Sequence, residues 1–140
     1  MAENNKNIEI LVEELIKLTN ENKIQWEYTD NNPDMLEIQQ KVMNKCIRGF
    51  KQFFPTAYRN DNCFYTNINN GYIFVIEWKQ KEETPKNYLA IIPYIDAKDM
   101  AIYDSPQSQI IRLHSLILKQ FPTVEDYITD IFNTFKKMST

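Results

Sequence analysis

The sequence predicts an α+β domain, a mostly antiparallel sheet of four to five strands flanked by about four helices. Three observations carry this. Strand-like runs follow one another without helices between them after residue 62, which argues against alternating βαβ units. An Asn-Gly pair sits between two of those runs, as in a tight hairpin. Helix-period apolar patterns lie at both ends of the chain. With 140 residues, 43% of them hydrophobic and 13% aromatic, one domain with a sizeable core is expected.

The elements follow in the order α-β-α-β-β-β-(β)-α-α. Ile8, Leu11, Val12, Leu15 and Ile16 recur at helical spacing, so residues near 5–19 form an amphipathic helix. Ile24, Trp26 and Tyr28 then alternate with polar residues, as in a half-buried strand. Asn32-Pro33 supplies a cap and a first-turn proline for a second helix, expected to reach about Phe54 before Pro55. Gly49 is an interior defect in that helix.

The hairpin at 62–80 is the strongest local signal. With Asn70-Gly71 as its two-residue turn, Thr66 faces Val75 and Tyr65 faces Ile76, so positions summing to 141 pair. One face carries Cys63, Tyr65, Phe74, Ile76 and Trp78; the other carries Phe64, Ile68, Ile73 and Val75. Both faces are apolar, so each needs cover, or one is an oligomer interface. A strand over 87–95 follows, with Pro93 at an edge or at the strand's end. A short strand near 100–103 comes next, and Ser105-Pro106 then opens a third helix with Ile110, Leu113, His114, Ile117 and Phe121 on one side. After Pro122, Thr123 with Asp126 forms a capping box for a last helix expected to bury Val124, Tyr127, Ile128, Ile131, Phe132 and Phe135.

Net charge is −3, which disfavours nucleic acid as a general partner. That figure hides a partition. The first thirty residues hold seven acids and three bases, whereas 31–60 hold two acids and five bases. Lys outnumbers Arg 13 to 3, and Asn, Ile and Lys together make 46 residues, the bias of an AT-rich bacterial or phage genome. Met1 to Lys17 carries four glutamates and no apolar run suited to a signal peptide or membrane span, so a cytoplasmic protein away from membranes is expected. Cys46 and Cys63 lie in apolar segments and are expected as buried thiols.

Several residues carry candidate chemistry. Phe74-Val75-Ile76-Glu77-Trp78-Lys79, with Asp61 upstream, resembles the PD-(D/E)xK nuclease signature. The resemblance implies Asp61 and Glu77 as ligands of a divalent metal and Lys79 as the group that positions water. Under the 141 register Glu77 faces Phe64 and Asp61 belongs to the other face, so a solvated Glu-Lys pair at the sheet's edge is the favoured alternative. Lys41, Lys45, Arg48 and Lys51 form a basic helix stripe, read first as a solvated face and second as a docking surface for a protein. His114, the one histidine, lacks companions at metal-ligand spacing, and no Gly-rich phosphate loop exists. Tyr58, Tyr94, Tyr103, Trp26 and Trp78 exceed what a small core needs.

Leu18-Thr19-Asn20-Glu21-Asn22-Lys23-Ile24-Gln25-Trp26 after an opening helix is similar to the start of small accessory proteins of phages and mobile elements in low-GC bacteria. The Phe64-Tyr65-Thr66-Asn67-Ile68 hairpin and two closing helices extend the likeness, with the second helix as an insertion. It implies an accessory or host-interaction role. The expected function is a small cytosolic protein-binding module without catalysis, cofactor or metal. It acts as an inhibitor, an immunity protein or a chaperone-like escort, and as a homodimer. Its expected contacts are Lys41, Lys45, Arg48, Lys51, Tyr65, Phe74 and Trp78. The alternatives are the metal-dependent nuclease and a sensor or sponge for a small ligand or nucleotide.

Overall fold

The computed structural model describes residues 2–46, 63–78, 86–94 and 99–139. They form helices α1 (Ala2–Asn20), α2 (Pro33–Cys46), α3 (Gln107–Leu118) and α4 (Val124–Ser139). The strands are β1 (Glu27–Tyr28), β2 (Cys63–Ile68), β3 (Gly71–Trp78), β4 (Lys86–Ile92) and β5 (Ala101–Tyr103). The strands pair antiparallel in sequence order, β1-β2-β3-β4-β5, so the sheet is a meander with β3 at its centre. The α+β class holds, as does the order of elements.

Both sheet faces are covered, by different helices. Phe64, Ile73, Val75 and Leu89 pack under Val12, Leu15 and Ile16 of α1 and Ile110, Leu113 and Ile117 of α3. Cys63, Phe74, Ile76, Ala90 and Ile92 pack on the opposite side under Met35, Ile38, Val42 and Met43 of α2. The molecule is thus layered helix, sheet, helix. Its apolar faces are those the alternation predicts, and the question of what covers the second one has its answer in α2.

The hairpin register differs from expectation by two. Ile68 pairs with Gly71, Tyr65 with Phe74 and Phe64 with Val75, so pairing positions sum to 139. The turn residues are Asn69 and Asn70, with φ of 52° and 68°, rather than Asn70 and Gly71. Asparagine tolerates the left-handed region well enough to fill both places of a type I′ turn. Gly71 serves a different need. A Cβ there would lie 2.8 Å from the backbone oxygen of Ile92 in β4, so glycine lets two strands approach. An even shift preserves the pleat, which is why the face assignments survive.

The two edges are finished by glutamine side chains. Regular pairing in β1 covers only Glu27 and Tyr28, shorter than the alternation from Ile24 suggests. Gln120 supplies the missing partners: its amide oxygen accepts from Trp26 N–H at 3.2 Å and its amide nitrogen donates to the Ile24 carbonyl at 2.8 Å. Gln107 does the same for β4, accepting from Asn87 N–H at 2.7 Å and donating to the Asn87 carbonyl at 3.0 Å. β4 ends at Ile92, so Pro93 lies just past the strand.

The helix caps follow the sequence closely. Asn32 Oδ1 accepts from the backbone N–H groups of Asp34 and Met35 at 3.0 and 3.3 Å, opening α2. Thr123 and Asp126 exchange reciprocal 3.0 Å bonds, the capping box of α4. At α3 the cap position is Pro106 rather than Ser105, without a side-chain cap bond. The continuation of the second helix from 47 to 54, including Gly49, lies outside the described residues.

The turn assignment is testable by urea unfolding. Asn69→Ala should cost about 1 kcal/mol, because alanine resists positive φ, while Asn69→Gly should be near neutral. A silent Asn69→Ala would return the turn to residues 70 and 71.

Candidate functional site

Two of the three hairpin aromatics expected as contacts, Phe74 and Tyr65, are not free surface. Phe74 is fully buried under α2, and Tyr65 is partly buried beside it, its ring centroid 5.9 Å from that of Phe74. The Tyr65 hydroxyl also accepts from the Asn32 amide at 3.4 Å. Phe74 is therefore a core residue, and the contact role expected of it is corrected. The reason is that α2 spends its apolar side on this face. Trp78 pairs with Lys86 in the ladder, and its side chain lies outside the described residues. Trp26 also belongs to the core, with its indole N–H donating to Thr19 Oγ1 at 3.0 Å.

Of the basic stripe, Lys41 and Lys45 are exposed on α2; Arg48 and Lys51 lie outside the described residues. The same holds for Asp61 and Lys79 of the nuclease-like motif. Glu77, the remaining member, pairs with Asn87 across the ladder and reaches toward α3, where its Oε2 lies 3.9 Å from His114 Nδ1. His114 is buried, its ring 5.6 Å from Phe64 between centroids. It is a core histidine joining α3 to the sheet. Among the described residues, no cluster of three or more His, Cys, Asp or Glu side chains could hold a metal ion. Cys63 is buried, as expected, its Sγ 3.7 Å from the Glu77 carbonyl oxygen; the Cys46 side chain is outside the described residues.

The feature that the sequence reading placed wrongly is α4. None of its residues is buried. Val124 and Met138 are each 75% exposed and Phe132 is 60% exposed, with Tyr127, Ile128 and Phe135 also open and Ile131 half-buried. The expectation that this helix closes the core is overturned. The sheet's two faces are already occupied by α1 with α3 and by α2, which leaves no inner surface for a fourth helix. A large apolar stripe on a monomer is rare unless it meets something. Its spacing was legible: Val124, Ile128, Ile131, Phe135 and Met138 advance by four, three, four and three residues, a helix-pairing seam.

The polar side of α4 is partitioned by sign. Glu125, Asp126 and Asp130 occupy its first half, and Lys136 and Lys137 its last turn. No described helix is long and apolar enough to cross a membrane. Comparison with protein-family models, curated proteins and solved structures finds no match to this chain.

These placements predict opposite stability effects for the two groups of expected contacts. Phe74→Ala should cost about 3–5 kcal/mol through the cavity it leaves. The double variant Lys41→Glu, Lys45→Glu should stay within about 0.5 kcal/mol of the parent. Chemical denaturation of both variants checks the assignment, and a mild Phe74→Ala would return that ring to the surface.

Proposed function

We propose that this chain is a non-catalytic protein-binding module of the cytoplasm, and that α4 is its docking element. The observation that carries the reading is the unburied seam of Val124, Ile128, Phe135 and Met138, flanked by Tyr127 and Phe132. An amphipathic helix set on a complete domain, with its apolar face outward, suits helix-in-groove or helix-to-helix recognition. Aromatic anchors such as Tyr127, Phe132 and Phe135 are the side chains that dominate binding energy in such contacts. The exposed Lys41 and Lys45 make a secondary surface that would tune association rate more than affinity. The likeness of Leu18–Trp26 and the hairpin to mobile-element accessory proteins fits an inhibitor or escort of this kind.

A photo-crosslinking residue installed at Phe132 tests the reading in cells expressing the full chain. A covalent adduct to a polypeptide, this chain or another, is expected, and Tyr127→Asp with Phe135→Asp should abolish it. Absence of any adduct would overturn the module. Metal-dependent cleavage of plasmid DNA that vanishes in Glu77→Ala would overturn the non-catalytic part.

A further inference from the structure

We infer that Asn70 is a site of spontaneous covalent modification: the Gly71 backbone nitrogen closes a ring onto the Asn70 side chain and ammonia leaves, at a rate set by opening of the hairpin tip. The inference is independent of what α4 docks against.

Two structural demands from different places bring this pair of residues together. The first acts at position 70, which is exposed at the tip of the β2–β3 hairpin with φ of 68°. Asparagine is among the few residues with a side chain that adopt this region readily. The second acts at position 71, where a Cβ would lie 2.8 Å from the Ile92 backbone oxygen and 3.1 Å from that of Pro93. Only glycine fits there without displacing backbone. Turn and sheet each select their own residue, and the product is the one Asn in the chain that precedes a Gly.

That order has a chemical consequence. Attack of the Gly71 nitrogen on Cγ of Asn70 closes a five-membered ring. A new N–Cγ bond forms, and the side-chain nitrogen departs as ammonia with the proton that the Gly71 nitrogen gives up. Water then opens the ring at one of its two carbonyls. Cleavage at Cγ gives aspartate; cleavage at the backbone carbonyl gives isoaspartate, with the main chain rerouted through the side chain. Either product adds one negative charge to the net −3. A side chain on the following residue shields the attacking nitrogen, whereas glycine leaves it open. Asn69 supplies the contrast: it is exposed in the same turn with φ of 52°, but Asn70 follows it.

The fold governs the rate. The register pairs Gly71 with Ile68, and the closing bond of a two-residue turn runs from the Gly71 N–H to the Ile68 carbonyl. A nitrogen held in that way does not reach Cγ, so ring closure waits on local opening of the tip, which needs far less free energy than unfolding of the domain. Isoaspartate then carries one extra carbon in the main chain. Gly71 has no room to absorb it, because the Ile92 and Pro93 backbone lies against it, so the Ile68–Gly71 pair gives way. Aspartate leaves the main chain unaltered and tolerates the left-handed region as asparagine does.

Prolonged incubation of the purified full chain at neutral pH tests this, with peptide mapping by mass spectrometry and fragmentation that separates isoaspartate from aspartate. In the folded chain Asn70 should convert ahead of every other asparagine, Asn69 included, and give both products. In urea the conversion should be several-fold faster. Hydrogen exchange at the Ile68 and Gly71 amides should quicken in the isoaspartate form and stay near the parent rate in Asn70→Asp. An Asn70 that converts no faster than Asn69 overturns the site, and conversion in urea alone removes it from the native chain. Equal rates in folded and unfolded chains overturn control by the hairpin. Aspartate without isoaspartate means direct hydrolysis and overturns the ring.

Discussion

Strand β3 cannot face water on either side, and the architecture follows from that constraint. Ile73 and Val75 point one way, Phe74 and Ile76 the other, and all four are buried. Each such side chain contributes roughly 1.5–3 kcal/mol when it leaves water, so neither face can be surrendered. A strand of this kind needs a paired neighbour at each edge and a helical layer on each face. β2 and β4 meet the first need; α2 on one side and α1 with α3 on the other meet the second. The outer strands are short, and exposed strand edges invite unwanted pairing. Gln120 beside Trp26 and Gln107 beside Asn87 finish backbone groups that a longer strand would otherwise have to satisfy.

That solution uses three of the four helices. By the time the chain reaches Thr123 the sheet has no bare face left, yet α4 is as amphipathic as a core helix. Periodicity in a sequence establishes that a helix will be covered along one side; it carries no address for the cover. For α1, α2 and α3 the cover is this chain's own sheet. For α4 no described element of this chain supplies it. Here local propensity and the capping box at Thr123 and Asp126 agree with the helix, while burial does not follow within the chain.

The same distinction separates what was legible in the sequence from what was not. Element order, the cap at Asn32 and the two-faced hairpin were readable because each depends on nearby residues or on a simple period. The hairpin turn was misplaced because Asn-Gly is the commoner type I′ pair, and nothing local reveals that Gly71 is reserved for close approach to Ile92. Phe74 was misassigned as a contact for a longer-range reason: which helix lies on which face is set by the topology of the whole chain. Gln107 and Gln120 left no trace at all, since an ordinary polar side chain becomes a strand substitute only once the sheet edge is beside it. Candidate chemistry fared worst. Glu77 was singled out by its neighbours in sequence, whereas its placed neighbour is His114, thirty-seven positions on.

Charge completes the argument about α4. α1 exposes Glu9, Glu13 and Glu14 with Lys6 and Lys17 on one side of the sheet, and α2 exposes Asp34 and Glu37 with Lys41 and Lys45 on the other. The described residues of α2 thus balance two acids with two lysines, and α1 is the more acidic of the two. α4 separates its charges along its own length, acids first and lysines last. That arrangement suits the dipole of α4 itself, so its charges stabilise the helix, and its apolar seam is left without cover among the described residues.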